Sequence, residues 1–268
     1  MNIKIGDFEF TECWDGVLYK KLSDYPRITK WEIQTILDFI KYEELYGRDC
    51  VIEAENDILQ AIEDYKKVYD SGVREPVPDK ITECTACPKY KGCMTDLICH
   101  TASVENAISI LDCGSLLSAV RARRKPAAEL ASEPRNAARD PEDYFHYVMF
   151  AWGNCQAGDR LVMERKLGRF PDEKDLSEDF TPGVRFYFKY DVLSNHPAGV
   201  RDGVLPIKVK DEVILKDWVY AIIIPEEHKT LFESHIPDDL ESRIYYIEND
   251  CKDIWEWSDK VYEFVKGL

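Results

Sequence analysis

The chain has 268 residues, with 35 Lys+Arg against 51 Asp+Glu, for a formal net charge of −16. A chain of this length suits one large domain or a domain with an appendage, and buries roughly 70–75% of its unfolded surface without staples. Apolar residues at 45% and aromatics at 12% exclude a disordered chain, and the acid excess excludes a surface that coats long nucleic acids.

Residues 1–24 alternate weakly around Gly6 and Gly16, which predicts a hairpin or extended start. Ile33, Ile36, Leu37 and Ile40 follow a helical rhythm ended by Gly47. Ile58, Ile62, Tyr65 and Tyr69 repeat it and end at Ser71-Gly72. The two read as a helical hairpin, so residues 1–80 are expected to form an N-terminal helical extension. Their acidic faces read as solvated surface.

Residues 81–99 are a cysteine-rich segment. Of nine cysteines, Cys84, Cys87, Cys93 and Cys99 stand in the spacing C-x2-C-x5-C-x5-C. A C-x2-C pair on a tight turn lets two thiolates converge on one metal, and zinc or an iron–sulfur cluster accepts four of them. Cys13, Cys50 or His100 are alternatives to Cys99 as fourth ligand. The C-x2-C-x5-C run also resembles the cysteines beside the cluster in Cas4-type iron–sulfur nucleases. No nuclease carboxylate–lysine signature accompanies it.

Beyond residue 95 the texture turns strand-rich. Leu97–His100 reads as a strand. Ser103 is placed to cap a helix over Val104–Cys113, and Gly114 to stop it. Residues 118–139 form a basic island of net charge +4, from Arg121, Arg123, Arg124, Lys125, Arg135 and Arg139 against Glu129 and Glu133. Strands are predicted at Tyr147–Trp152, Leu161–Met163, Val184–Phe188, Lys208–Leu215, Val219–Ile224 and Arg243–Ile247. A short helix should start at Pro225, and Ile254, Trp257, Val261, Phe264 and Val265 form a terminal amphipathic helix. P-loop, dinucleotide-fold, H-E-x-x-H and G-x-S-x-G motifs are absent from the sequence. No apolar run approaches the ~20 residues of a membrane span. The opening residues lack a leader pattern. The expectation is a soluble, cytoplasmic α+β protein with no membrane partner.

The stretch His100-Thr101-Ala102-Ser103, followed by Asn106, Ile110-Leu111, Gly114 and Leu116, resembles the opening motif of DarT-like ADP-ribosyltransferases of the diphtheria-toxin/PARP fold. Asp143–Phe150 resembles that family's second core strand. Lys210–Leu215 and Trp218–Ile224 resemble the strand bearing the catalytic glutamate and its partner. The resemblance spans residues 97–225 and implies a split mixed β-sheet core, giving an ADP-ribosyltransferase-like domain over residues 97–268. It implies NAD as substrate, Glu212 as the carboxylate that stabilises the cation formed when nicotinamide leaves, and Arg135 or Arg139 on the pyrophosphate. His100, with Thr101 or Ser103 beside it, would hold the ribose, and Tyr147 would stack on nicotinamide. Lys210, two residues before Glu212, disfavours an arginine acceptor; the resemblance implies a nucleic-acid acceptor, with a protein or small-molecule acceptor open. RNA 2′-phosphotransfer on the same fold and a non-catalytic, metal-stabilised binding module are the rival expectations.

Overall fold

A computed structural model describes residues 1–8, 11–78, 96–134 and 136–268. The N-terminal unit runs β1 (Asn2–Gly6), β2 (Glu12–Trp14), β3 (Val17–Lys21), α1 (Lys30–Leu45), β4 (Val51–Glu53) and α2 (Asn56–Asp70). Asp15 and Gly16 both adopt positive φ, 48° and 77°, which turns β2 tightly into β3. Helix α1 opens on a reciprocal cap: Thr29 accepts from the Glu32 backbone N–H, and the Glu32 carboxylate accepts from the Thr29 N–H. The expected extension is therefore an α/β unit. Its four strands lie in the order β2-β3-β1-β4, and β4 interrupts the expected helical hairpin. Strands of three to five residues carry too little alternation to stand out beside two long helices. Ile3, Leu18, Ile36, Phe39 and Ile58 fill the core of this unit.

The body continues with β5 (Leu97–Ala102), α3 (Val104–Cys113), β6 (Ser115–Leu117), α4 (Ala119–Arg123), α5 (Ala127–Ala131), β7 (Tyr147–Met149), β8 (Ala151–Trp152) and α6 (Ala157–Leu167). It closes with β9 (Val184–Lys189), α7 (Tyr190–Leu193), β10 (Gly199–Val200), β11 (Lys208–Lys210), β12 (Glu212–Ile214), α8 (Leu215–Trp218), β13 (Ala221–Pro225), α9 (Lys229–Phe232), β14 (Ile244–Ile247) and α10 (Ile254–Lys266). The fold is α+β. A five-stranded sheet has the order β14-β13-β9-β5-β8, and smaller sheets join β10-β11-β7 and β12-β6. Only the β13–β14 pair of the five-stranded sheet is parallel.

Three expected strands resolve differently. Tyr147–Trp152 breaks at Phe150, so that β7 pairs with β11 while β8 pairs with β5. Lys208–Leu215 breaks at Asp211, whose φ of 65° separates β11 from β12. Its N–H bonds the His146 carbonyl and its own carbonyl accepts from the Ser118 N–H. Leu161–Met163 is not a strand but part of α6. Leu161 is 49% exposed and Met163 is 1% exposed. Residues two apart share a face in a strand but lie on opposite sides of a helix, and a three-residue apolar run does not fix the period.

One core, with Phe150, Phe186, Phe188, Val209, Val213 and Ile222, lies on one face of the five-stranded sheet. A second lies on its other face under α10, through Trp257, Val261, Tyr262 and Val265. Asp253 caps α10 by accepting from the Trp255 and Glu256 N–H groups.

The N-terminal unit is locked to the body by buried polar groups. The Tyr42 hydroxyl donates to Asp143 at 2.5 Å, and Arg48 reaches the same carboxylate at 2.6 Å. The Lys208 ammonium lies 3.6 Å from the ring centroids of both Tyr42 and Tyr144, and 3.0 Å from Asp202. A buried lysine is tolerated only when its charge is met, here by tyrosine faces and one carboxylate. Among the described residues, no helix is long and apolar enough to cross a membrane.

Candidate functional site

The β5–α3 corner carries the candidate site. Ser103 accepts from the Asn106 N–H at 3.3 Å, and Gly114 closes α3 at φ 70°. His100 sits near the end of β5, facing the same way as Ile98 and Ala102. Its Nδ1 lies 3.0 Å from the Met149 carbonyl. A carbonyl only accepts, so Nδ1 carries the hydrogen and the lone pair sits on Nε2. Burial pushes the imidazole below its ordinary pKa, against the Met149 hydrogen bond, and Arg165 adds to the lowering. The ring is therefore neutral near pH 7, with Nε2 available to accept a hydroxyl proton.

Thr101 points to the opposite face. A Cβ built on Gly158 would stand 2.3 Å from Thr101 Oγ1, so α6 approaches β5 closely at this point. The Ser103 hydroxyl is engaged by its cap. The charged group whose field reaches the His100 ring is Arg165 on α6. Local desolvation and repulsion from Arg123 lower the pKa of Arg165. Among the described residues no carboxylate forms an ion pair with Arg165, whereas Arg123 meets Glu133 at 3.0 Å. Reading residues 161–163 as a strand hid Arg165, because only a helix carries it to this corner.

Glu212 opens β12, opposite Leu117 of β6. Val213 is buried while Glu212 and Ile214 face outward, as alternation in a strand requires. Arg121 Nη1 meets Glu212 Oε2 at 2.5 Å. A hydrogen bond from Ser115 and the Arg121 guanidinium hold the Glu212 carboxyl below the ordinary carboxylate range. Strand β7 connects the two halves of the site. His100 is bonded to Met149 at one end, and the residue before Glu212 is bonded to His146 at the other. Those two anchor points are separated by ~10 Å of extended chain.

The remaining predicted residues are placed elsewhere. The Arg139 guanidinium pairs with Asp15 of the N-terminal unit at 3.0 Å, not with a group near His100. Tyr147 is 5% exposed, and its hydroxyl shares a 2.5 Å hydrogen bond with Tyr46, so its ring belongs to the seam beside Lys208. Arg135, Cys84, Cys87 and Cys93 lie outside the described residues. Cys99 is interior to β5, with its thiol 3.8 Å from the Trp152 carbonyl and pushed up to about 12 by burial. Cys13 is likewise pushed up to about 12, by burial first and then by Asp140, and burial takes Cys50 to about 11. Among the described residues no three His, Cys, Asp or Glu side chains gather as a metal-holding group. Within the basic island only Arg123 and Lys125 meet the island's own carboxylates, Lys125 reaching Glu129 at 2.6 Å and Glu133 at 3.1 Å, while Arg121 and Arg139 pair with Glu212 and Asp15 outside it.

No protein-family model, no curated protein and no solved structure matches this chain.

Proposed function

We propose that the protein is an NAD-dependent ADP-ribosyltransferase. The observation that carries this reading is the β5–α3 corner. There a neutral His100, hydrogen-bonded through Nδ1 and with no hydrogen-bond partner on Nε2 among the described residues, lies in the field of Arg165, a cation with no ion pair among the described residues. Nε2 would accept from a ribose hydroxyl, and the Arg165 guanidinium would meet pyrophosphate oxygens, for which its planar fork is suited. As the bond between nicotinamide and ribose breaks, the electron pair leaves with nicotinamide and positive charge develops on the ribose. The ionised Glu212 carboxylate would stabilise that charge, and the acceptor nucleophile would add at the same carbon and lose its proton. The acceptor is proposed as nucleic acid on the resemblance of residues 97–225. A polyanion that engages Arg121, Arg123 or Lys125 of the basic island must displace the carboxylates they meet.

Incubation with NAD should release nicotinamide, and Glu212→Gln should abolish the release. A panel of DNA, RNA and protein acceptors identifies the second substrate. Absence of NAD binding by calorimetry overturns the proposal.

We further propose that Cys84, Cys87 and Cys93 hold zinc or an iron–sulfur cluster, on the spacing alone. No catalytic step is assigned to that metal. Metal analysis should find it lost in Cys87→Ser and retained in Cys99→Ser, because Cys99 faces the interior of the sheet.

A further inference from the structure

At the seam between the N-terminal unit and the body lies a cavity of about 60 Å³, bounded by the end of β3, the start of α1 and the 201–206 loop. Lys20 lines it and is only 8% exposed. Trp31, Trp152 and Arg201 also line it. Among the described residues, neither Lys20 nor Arg201 has a carboxylate within ion-pair distance, although Glu32 attracts Lys20, and Arg201 is attracted to Asp38 and hydrogen-bonds Tyr190. Two carboxylates do line the cavity, but their oxygens are largely spoken for. Glu32 accepts from the Ser23 N–H at 2.7 Å and from the Thr29 N–H and hydroxyl, each at 2.8 Å. Asp38 accepts from the Tyr69 hydroxyl at 2.7 Å, and burial raises its pKa. Lys20 and Arg201 thus meet these carboxylates without a direct ion pair, in a space flanked by indole rings. A largely buried ammonium held by a carboxylate at a distance is stabilised further by an anion placed directly on it.

The cavity is also preformed. A Cβ on Gly203, at φ +72°, would stand 2.0 Å from the Thr35 carbonyl, so the loop is seated against α1. Asp202 fixes the loop by accepting from the Val204 and Leu205 N–H groups at 3.0 and 2.8 Å.

We propose that this cavity binds a small aromatic anion, with its carboxylate or phosphate on Lys20 and Arg201 and its flat ring against Trp31 or Trp152. Room for roughly four water-sized groups, taking about 15 Å³ for each, seats an oxyanion head, and the ring then covers the mouth. Burial lowers the Lys20 pKa to about 8, so the amine is charged at neutral pH and loses its proton within reach of a titration. Binding should weaken as pH rises from 7 to 9.5. This site is separate from the NAD proposal: its probes are not NAD, and its variants leave His100 and Glu212 untouched.

The test is calorimetry and tryptophan fluorescence on the full chain with benzoate, phenyl phosphate and inorganic phosphate. At least one aromatic anion should bind saturably and at least tenfold more tightly than inorganic phosphate, with a change in tryptophan emission. The tighter of the two aromatic probes identifies the charged end. Lys20→Met and Arg201→Gln should each weaken binding at least tenfold, while Lys41→Met, at an exposed pair with Glu44, should leave it unchanged. If Lys20→Met fails to fold, the pH titration of the wild-type chain and Arg201→Gln decide. No saturable binding, equal binding of inorganic phosphate, or affinity unchanged between pH 7 and 9.5 overturns the proposal.

Discussion

Among the described residues three arginine–carboxylate pairs close to 2.5 Å, and two of them lie at opposite extremes of burial. In one, Arg185 and Asp159 are both fully buried; in the other, Arg121 and Glu212 keep 46% and 32% of their side chains exposed. The buried pair is satisfied all round. Asp159 also accepts from the Gly183 N–H at 3.0 Å, and Arg185 also donates to Ser258 at 3.0 Å and to the Tyr187 hydroxyl at 3.1 Å. It joins α6, β9 and α10 and has no capacity left for a ligand. The exposed pair joins α4 to the start of β12 and stays open to solvent. Equal distances thus mark opposite roles, and solvent access separates them: a desolvated pair is costly to break, while an exposed one is worth ~1 kcal/mol or less.

The largest expected effect is Arg185→Met, which strands the Asp159 carboxylate. Chemical denaturation should show a loss of about 3–5 kcal/mol. A loss below 1 kcal/mol would show that the two pairs do not differ as burial implies. Glu212→Gln comes next. It should lower nicotinamide release by about 100-fold or more, the usual cost of losing a transition-state electrostatic partner. Its midpoint of unfolding should stay close to the wild type, because the Arg121 pair is exposed. If stability falls while activity persists, Glu212 is structural.

Ser103→Ala should cost about 1 kcal/mol through the lost cap of α3. The helix it starts follows directly on His100, so NAD affinity should weaken in parallel. Arg121→Gln should change stability by less than about 1 kcal/mol, and the contribution it removes should fade with added salt. Its sign with pH is fixed. The Glu212 pKa is lowered in the folded state, so the pair stabilises the fold above the ordinary glutamate pKa and loses that contribution as pH falls through the lowered value. Ser115→Ala, the smallest change, removes the first of the two groups that lower the Glu212 pKa, so the acid limb of the pH–rate profile should move upward.

How much was readable in advance divides along the same line of local against long-range causes. The Ser103 cap, α3 and the Gly114 stop stand where the residues put them, because caps and positive-φ stops act within a few residues. α10 follows from its apolar stripe for the same reason. The role of Tyr147 was not readable, because Tyr46, which takes its hydroxyl, is 101 residues away. Arg139 has a partner at even greater separation, across 124 residues. Arg165 was missed for a local reason, since three apolar residues do not fix a period. The cavity around Lys20 had no signal at all: an alternating strand hands its lysines to water unless another element covers them, and here residues from the body do so.

By itself, the sequence determined the α+β class, the strand–cap–helix–glycine corner that places His100, and the terminal helix, because each depends on spacing and on near-neighbour hydrogen bonds. Only the tertiary structure decided which charges are spent and which are free. It paired Arg121, Arg123, Lys125 and Arg139 of the basic island with carboxylates, buried Lys208 among tyrosines and left Arg165 and Lys20 without carboxylates at ion-pair distance among the described residues. Charge pairing and desolvation depend on distance and burial, and both arise only when segments remote in sequence pack together.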